Sequence, residues 1–471
     1  VSYVCGVTAI PQSLNRLLPQ KDRKGRWSKF DINLLRCIVR SRDDDYIYAT
    51  EEQNASELKI CYGNQNRYLT LGGKGDWTYL KQILSVDTQL NLVRIRMEED
   101  VCMPELIIYE PDYLVNVTTV ASCFETYAES PFVSIINRLK PQANTEHIHL
   151  GNLTGQFLDD TVHDRDIPFA QSMTRYFQMN ALEMLACEGF QSQQQAEAFY
   201  EKARAQRANI RKLIGQDLRQ SIARYDSAHV TLEPTFFSDM LGIQGRLDFL
   251  YRHKKQTIII EQKSGKGDFV PPSSPSYDPE VPKPQEKHLV QLLLYRALLT
   301  YEFNLHSEEL SHIMLLYSRY QQGLVSVGQM PALMLRAIRM RNLLAWCEIH
   351  HAQEGYAFLS TLSPEKLNRK QVGGKLWNIY VRPELERLLL PIHQASPLER
   401  AYFLRFMQFL AQERLLSKVG SKTKEDAGFA SKWLSSLEEK RAAGNIYEGL
   451  ILDDFQQDDD GVDTESPYQQ G

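Results

Sequence analysis

No apolar run in this sequence approaches the roughly 20 residues that a membrane span needs, and no charged-then-apolar segment opens it, so neither a transmembrane helix nor a secretory signal is expected. Paired cysteines are missing as well. The seven cysteines (Cys5, Cys37, Cys61, Cys102, Cys123, Cys187 and Cys347) are scattered without a CxxC, which suits free, buried thiols in a reducing, cytoplasmic setting. The P-loop spacing GxxxxGK[ST] is absent: Gly373-Gly374-Lys375 and Gly420-Ser-Lys-Thr do not supply it, so no ATP site is expected. Excess positive charge is lacking too. A net charge of -5 argues against a protein that coats nucleic acid by bulk charge, but it leaves room for a local basic groove. What is present is ordinary globular material: 43% hydrophobic residues in 471, enough for two to four domains.

Residues 1–110 read as a β-rich domain, with Leu58–Tyr62, Leu90–Met97 and Glu105–Tyr109 as short strands set off by Gly72-Gly73 and Pro104. Residues 111–330 read as a second unit. Asp112–Pro141 and Ala170–Gly189 carry helical spacing, the latter with an apolar face through Phe177, Ala181, Met184 and Leu185. Gln191–Tyr225 is a long helix, or helix pair, whose basic run (Lys202, Arg204, Arg207, Arg211, Lys212, Arg219, Arg224) is either a solvated face or a phosphate track. Leu247–Tyr251 and Thr257–Gln262 form a hairpin across Arg252–Gln256. Gly267 to Lys287 is a loop, His288–Phe303 a helix and Ile313–Tyr320 a strand returning through Gly323. Residues 331–452 are helical, with Met334–Ala352 and Pro397–Leu416 amphipathic, and 453–471 is an acidic linker or tail. The fold expected is α/β (α+β), a small mixed sheet flanked by helices. From the opening Val and the polar end, a piece of a longer protein is expected.

Chemistry concentrates in Gly242-Ile-Gln-Gly-Arg-Leu-Asp248, Ile258-Ile-Ile-Glu-Gln-Lys263-Ser-Gly-Lys266 and Gln291-Leu-Leu-Leu-Tyr295. Asp248 on one strand and Glu261 on its hairpin partner are costly to bury unless paired or bound to metal. Two such acids suit Mg²⁺ or Mn²⁺, which keep several waters, with the backbone carbonyl of Gln262 as a further oxygen. Lys263 follows Glu261 by two residues, so both face the same side of a strand. It can orient an attacking water and stabilise charge on a phosphoryl oxygen. Gln291 and Tyr295, four apart, share one helical face. Arg246, Lys266, His288, Arg211 and Lys212 are the candidate phosphate contacts. His147-Ile-His149, a pair on an expected strand, has no partner cluster.

GxxGRLD, EQKSGK and QLLLYRALL together resemble the PD-(D/E)xK nuclease superfamily. Within it they are similar to the RecB-like branch, which includes CRISPR-adaptation exonucleases and the nuclease domain of flap-processing helicase–nucleases. The likeness is firm over 230–320, and Glu110-Pro-Asp-Tyr-Leu-Val resembles the region upstream of that nuclease core. It implies a restriction-endonuclease-like core acting on DNA, preferably single-stranded, in repair or replication. Asp248 and Glu261 would be metal ligands, Lys263 the catalytic lysine, Gln291 and Tyr295 the fourth motif, and Glu233 a supporting acid. It also implies a covalently linked helicase beyond the last residue, and a location in the cytoplasm, nucleoid-associated in a bacterium.

Two departures stand out. Where the family's first motif carries a metal-ligating His, Gly151-Asn-Leu-Thr-Gly155 has Gly155. Asp159 or Asp160, one turn on, is an alternative oxygen ligand, or both are exposed helix acids. The relatives' iron–sulfur cluster needs three cysteines after the fourth motif, and only Cys347 follows Tyr295, so no cluster is expected. The alternative to an active nuclease is a nuclease-fold DNA-binding or scaffold domain with weak or lost catalysis.

Overall fold

A computed structural model describes residues 31–449, apart from 67–76, 142–143, 223–224, 255, 304, 306–308, 422–427 and 445. Cys5, Gly72-Gly73, Arg224 and the acidic stretch 453–471 therefore lie outside the described residues.

The β-rich N-terminal part is a closed five-stranded barrel in the order β1-β2-β3-β5-β4. Its strands are β1 (Ile32–Arg42), β2 (Tyr46–Glu51), β3 (Glu57–Cys61), β4 (Gln89–Glu98) and β5 (Val101–Tyr109), with a one-turn helix α1 (Leu80–Ile83) before β4. Strand β1 pairs antiparallel with both β2 and β4, and β3 runs parallel to β5, which closes the ring. Alternation does the sorting: along β2, Ile47 and Ala49 are buried while Tyr48 is exposed.

The stretch Asp112–Pro141 is less helical than its spacing suggests. It holds a two-residue strand β6 (Val115–Asn116), then α2 (Val117–Ser122) and α3 (Phe132–Leu139). Helix α4 (Glu146–Val162) follows and contains His147 and His149, so the expected strand pair of histidines is a helix start. There the His149 ring is tied to the Tyr176 hydroxyl at 2.9 Å and to Asn144 at 2.9 Å. The expected helix over Ala170–Gly189 breaks at Asn180 into α5 (Phe169–Met179) and α6 (Ala181–Leu185). Ser172, Met173, Tyr176, Met184 and Cys187 are its buried residues, whereas Phe177, Ala181 and Leu185, read as core-facing, are exposed. Helix α7 (Gln193–Lys212) opens with a capping box on Ser192 and Gln195.

The central sheet has the order β13-β12-β11-β10-β7: β7 (Val230–Leu232), β10 (Phe249–His253), β11 (Gln256–Lys263), β12 (Leu310–Tyr317) and β13 (Leu324–Ser326). A small sheet β6-β9-β8, with β8 (Thr235–Ser238) and β9 (Ile243–Arg246), abuts it. The sheet is mixed, because β11 is antiparallel to β10 and parallel to β12. The hairpin closes more tightly than Arg252–Gln256, since His253 already pairs with Gln256.

Strand β11 is covered on both faces, which is why its run of three isoleucines is continuous rather than alternating. Ile258 and Ile260 enter the core shared with α4 and α7, and Ile259 enters the opposite core with α8 (Glu286–Tyr301). That alternation places Glu261 and Lys263 toward α8. The same apolar interior runs on into the barrel through Leu90, Leu106 and Ile107.

Helix α9 (Pro331–Glu354) crosses this junction, and α10 (Arg382–Gln394) and α11 (Pro397–Val419) build a third core with α3. On α9, Arg341 is fully buried and fans its guanidinium over backbone carbonyls of Tyr109, Glu110, Tyr113 and Gly242. Gly242 sits at φ +62°, and a Cβ there would run into that guanidinium, so two constraints demand glycine. Among the described residues no helix is long and apolar enough to cross a membrane, and the six described cysteines are buried and free.

Candidate active site

Three segments meet at the C-terminal end of β11. The first is the bend before β10: Asp248 lies one residue ahead of that strand, not on it as the sequence suggested. Its Oδ2 accepts the backbone N–H of Gln262 at 2.6 Å, which fixes the carboxylate against β11. The second is β11, where Glu261 is 3% exposed and Lys263 Nζ donates to Glu261 Oε1 at 2.9 Å. The third is α8. Gln291 accepts from Lys263 Nζ at 3.0 Å through Oε1 and donates to Glu261 Oε1 through Nε2 at 2.5 Å. One turn further, the Tyr295 hydroxyl donates to the Arg246 carbonyl at 2.5 Å and holds the end of β9. The five residues named as catalytic thus come together around one point.

The two acids lie near enough for the charge of each to act on the other. Burial raises Asp248 above the ordinary carboxylate range, against the pull of Lys263. Burial and then the charge of Asp248 push Glu261 up to about 8. An acid whose pKa is raised by folding adds stability fully below its ordinary value of 4.5, and that stability is lost as pH rises through about 8. In chelator, the melting temperature should therefore fall between about pH 4.5 and about pH 8, and divalent cation should restore it. Differential scanning fluorimetry of wild type and Glu261→Gln tests this; equal slopes would remove Glu261 as the source.

A divalent cation fits this donor set. Glu261 Oε2 is buried with no hydrogen-bond partner, and the second carboxylate lies beside it. Among the described residues no group of three or more His, Cys, Asp or Glu gathers, so a fully protein-caged ion is not provided for. Two carboxylates suit Mg²⁺, which keeps several of its waters.

Asp248, Gln262 and Lys263 form part of the wall of a cleft of about 960 Å³, closed on its other side by α4 and α5, while Glu261 and Gln291 lie behind that wall. Gly155 faces it with open space where a side chain would project. Asp159, Asp160 and Glu233 also line it but do not join Asp248 and Glu261 in a group of three acids. Asp159 is taken by His163 and Arg165, and Glu233 by Arg246 at 3.1 Å.

Of the expected phosphate contacts, Arg246, Lys266 and His288 line the cleft. Burial beside Lys263 and Lys287 pushes His288 down to about 3, so it offers a neutral ring, bonded to the Tyr317 hydroxyl at 2.8 Å, and no charge. Arg211 and Lys212 do not line it. Arg211 pairs with Asp166 at 3.2 Å and Lys212 reaches the Gln321 carbonyl at 3.4 Å, both at the surface. The cations that replace them, Arg165, Arg175 and Lys287, escaped the sequence reading because only tertiary packing brings α5 and the start of α8 to one cleft.

No curated protein matches this chain. A family model does, over residues 121–389, a span of 269 of the 471 residues that takes in every residue of the Asp248–Tyr295 constellation. With that match and this geometry, the chain belongs to the PD-(D/E)XK nuclease superfamily.

Proposed function

We propose that the protein is a metal-dependent deoxyribonuclease of the RecB-like branch that hydrolyses phosphodiester bonds in single-stranded DNA. The observation that carries the reading is the hydrogen-bonded set Glu261–Lys263–Gln291, with Asp248 beside it, which opens through Lys263 and Asp248 onto a cleft also lined by arginines and lysines. A divalent cation held by Asp248 and Glu261 would acidify a bound water and withdraw charge from the phosphoryl oxygen. Lys263 has two of its hydrogens committed to Glu261 and Gln291, which aims the third, and its charge, away from them. Gln291 bridges the lysine and the acid, so it fixes the spacing of both. Arg175 and Lys266, on opposite walls and exposed, are placed to neutralise neighbouring phosphates.

Labelled single-stranded DNA incubated with Mg²⁺ or Mn²⁺, or with chelator, is the direct test. Wild type cuts only with metal, and Asp248→Asn loses cutting by about 10²-fold or more. A wild type with no metal-dependent cutting, or an equally active Asp248→Asn, would end this reading.

A second reading, a nuclease-fold DNA-binding domain with weak catalysis, is favoured by the open space at Gly155 and the absence of a third gathered acid among the described residues. It yields a gain-of-function prediction. Gly155 is helical and unobstructed, so Gly155→His can project an imidazole into the cleft without a clash. Isothermal titration should show Mn²⁺ binding at least about tenfold tighter in the variant. Unchanged affinity would mean that position 155 does not face the ion.

A further inference from the structure

Two buried polar atoms of α4 point to something beyond the metal site. Asp160 is 5% exposed, and its Oδ2 has no hydrogen-bond partner. Gln156, four residues earlier and so on the same helical face, has a buried Nε2 that likewise has none. Both residues line the cleft. The unmet acceptor is notable because three guanidiniums lie within electrostatic reach of it. Arg165 turns to Asp159 at 3.0 Å, and Arg207 to the Ile167 carbonyl. An unpartnered acceptor and an unpartnered donor, one helical turn apart on residues that line one cleft, call for a ligand that presents a donor beside an acceptor.

We propose that Asp160 and Gln156 form a subsite that hydrogen-bonds the pairing edge of an unpaired nucleobase. Every base carries the required pair on that edge: the exocyclic amine beside a ring nitrogen in adenine and cytosine, the ring N–H beside a carbonyl in guanine and thymine. In a duplex this edge is occupied, so the subsite selects for single strands. Leu158, Leu232 and the exposed Met179 supply apolar cleft surface for the base faces, and Arg175 lies on the same cleft for a phosphate. The α4 axis meets β11's end near Ser264 at Gly151, and nine residues further at 1.5 Å each puts Asp160 about 13 Å along. That is on the order of two nucleotides of extended strand from the carboxylates. A cation at Asp160 would leave the Gln156 donor unused, whereas a base edge uses both atoms.

This inference rests on the nuclease reading, but its test does not need cutting. Fluorescence anisotropy in chelator compares an oligonucleotide with an abasic backbone of equal length. Wild type should bind the abasic strand about tenfold more weakly, the low end for one bidentate base contact. Asp160→Asn should reorder affinities among dA, dC, dG and dT homopolymers, because one acceptor becomes a donor. Gln156→Ala should weaken base-bearing strands and leave abasic binding unchanged. Equal binding of abasic and base-bearing strands by wild type would overturn the proposal. So would an Asp160→Asn variant that keeps the base ranking and loses a bound Mn²⁺ by electron paramagnetic resonance, or keeps the ranking and only melts earlier. Absence of metal-dependent hydrolysis alone would count against the nuclease reading and leave the binding comparison standing.

Discussion

On the proposed function, replacing Lys263 with methionine is expected to lower the rate of DNA hydrolysis by about 10²–10³-fold while oligonucleotide affinity stays within about threefold. The reason lies in how the lysine is held. Its Nζ is fixed by Glu261 Oε1 at 2.9 Å and Gln291 Oε1 at 3.0 Å, on a strand end whose isoleucines are wholly buried. A charge so restrained cannot swing out to gather substrate, so its removal should hardly change binding. It is available where negative charge develops on the phosphoryl group, and an environment that need not reorganise is worth most there. Loss of Lys263 also strips Glu261 of its cationic partner, which raises the acid further and makes cation uptake weaker at neutral pH. Single-turnover rates at saturating Mg²⁺ separate the two effects: a rate recovered by more metal would assign Lys263 to cation binding alone. Lys263→Arg should rescue little, since a planar guanidinium cannot place one nitrogen between those two oxygens. A methionine variant that cuts at the wild-type rate would remove the lysine from the chemistry.

The parts of the site legible in the sequence are those set by local periodicity. The two-residue step from Glu261 to Lys263 gives a shared strand face, and the four-residue step from Gln291 to Tyr295 gives a shared helical face; both hold. The β10–β11 hairpin was legible for the same reason, since its pairing is local. What local pattern cannot give is partnership at a distance. The barrel closes by joining β1 to β4 and β3 to β5, across segments that carry no mutual signal in sequence. Charge runs mislead in the same way. Arg211 and Lys212 looked like a phosphate track, yet Arg211 spends its charge on Asp166, 45 residues earlier. Asp160, one of two adjacent acids on a helix, could be read as exposed, and packing of α4 makes it one of the few buried carboxylates in the cleft. Arg341 is the extreme case: it belongs to the stretch Met334–Ala352, expected to be amphipathic, yet its charge lies wholly inside.

Arg341→Met is accordingly expected to be the most damaging single change to stability. The guanidinium donates to four backbone carbonyls, at 2.9 Å to Gly242, 2.9 Å to Glu110 and 2.8 Å to Tyr113, the fourth being that of Tyr109. It also meets Asn342 Oδ1 at 3.2 Å. These carbonyls belong to the end of β5, to the Glu110–Tyr113 turn and to the Gly242 turn before β9, so one side chain closes the junction between barrel and nuclease core. Burial lowers its pKa to about 10, which leaves it charged at neutral pH. Methionine fills much of the volume but satisfies none of the acceptors, and each buried carbonyl left without a donor costs about 1–3 kcal/mol. The carbonyls of Gly242 and Glu110 keep the backbone N–H groups of Val115 and Tyr113, so it is those of Tyr109 and Tyr113 that lose the donor the guanidinium supplied, a loss of at least about 2 kcal/mol. The variant should melt at least about 4 °C below wild type by scanning calorimetry. Arg341→Lys should recover only a minority of the loss, because three hydrogens on one nitrogen cannot reach carbonyls spread around a planar fork. Arg387→Met, which removes an equal charge from an exposed position on α10, is the control and should melt close to wild type. If Arg341→Met and Arg387→Met melt together, the junction is held by its apolar core, and the carbonyl fan contributes little.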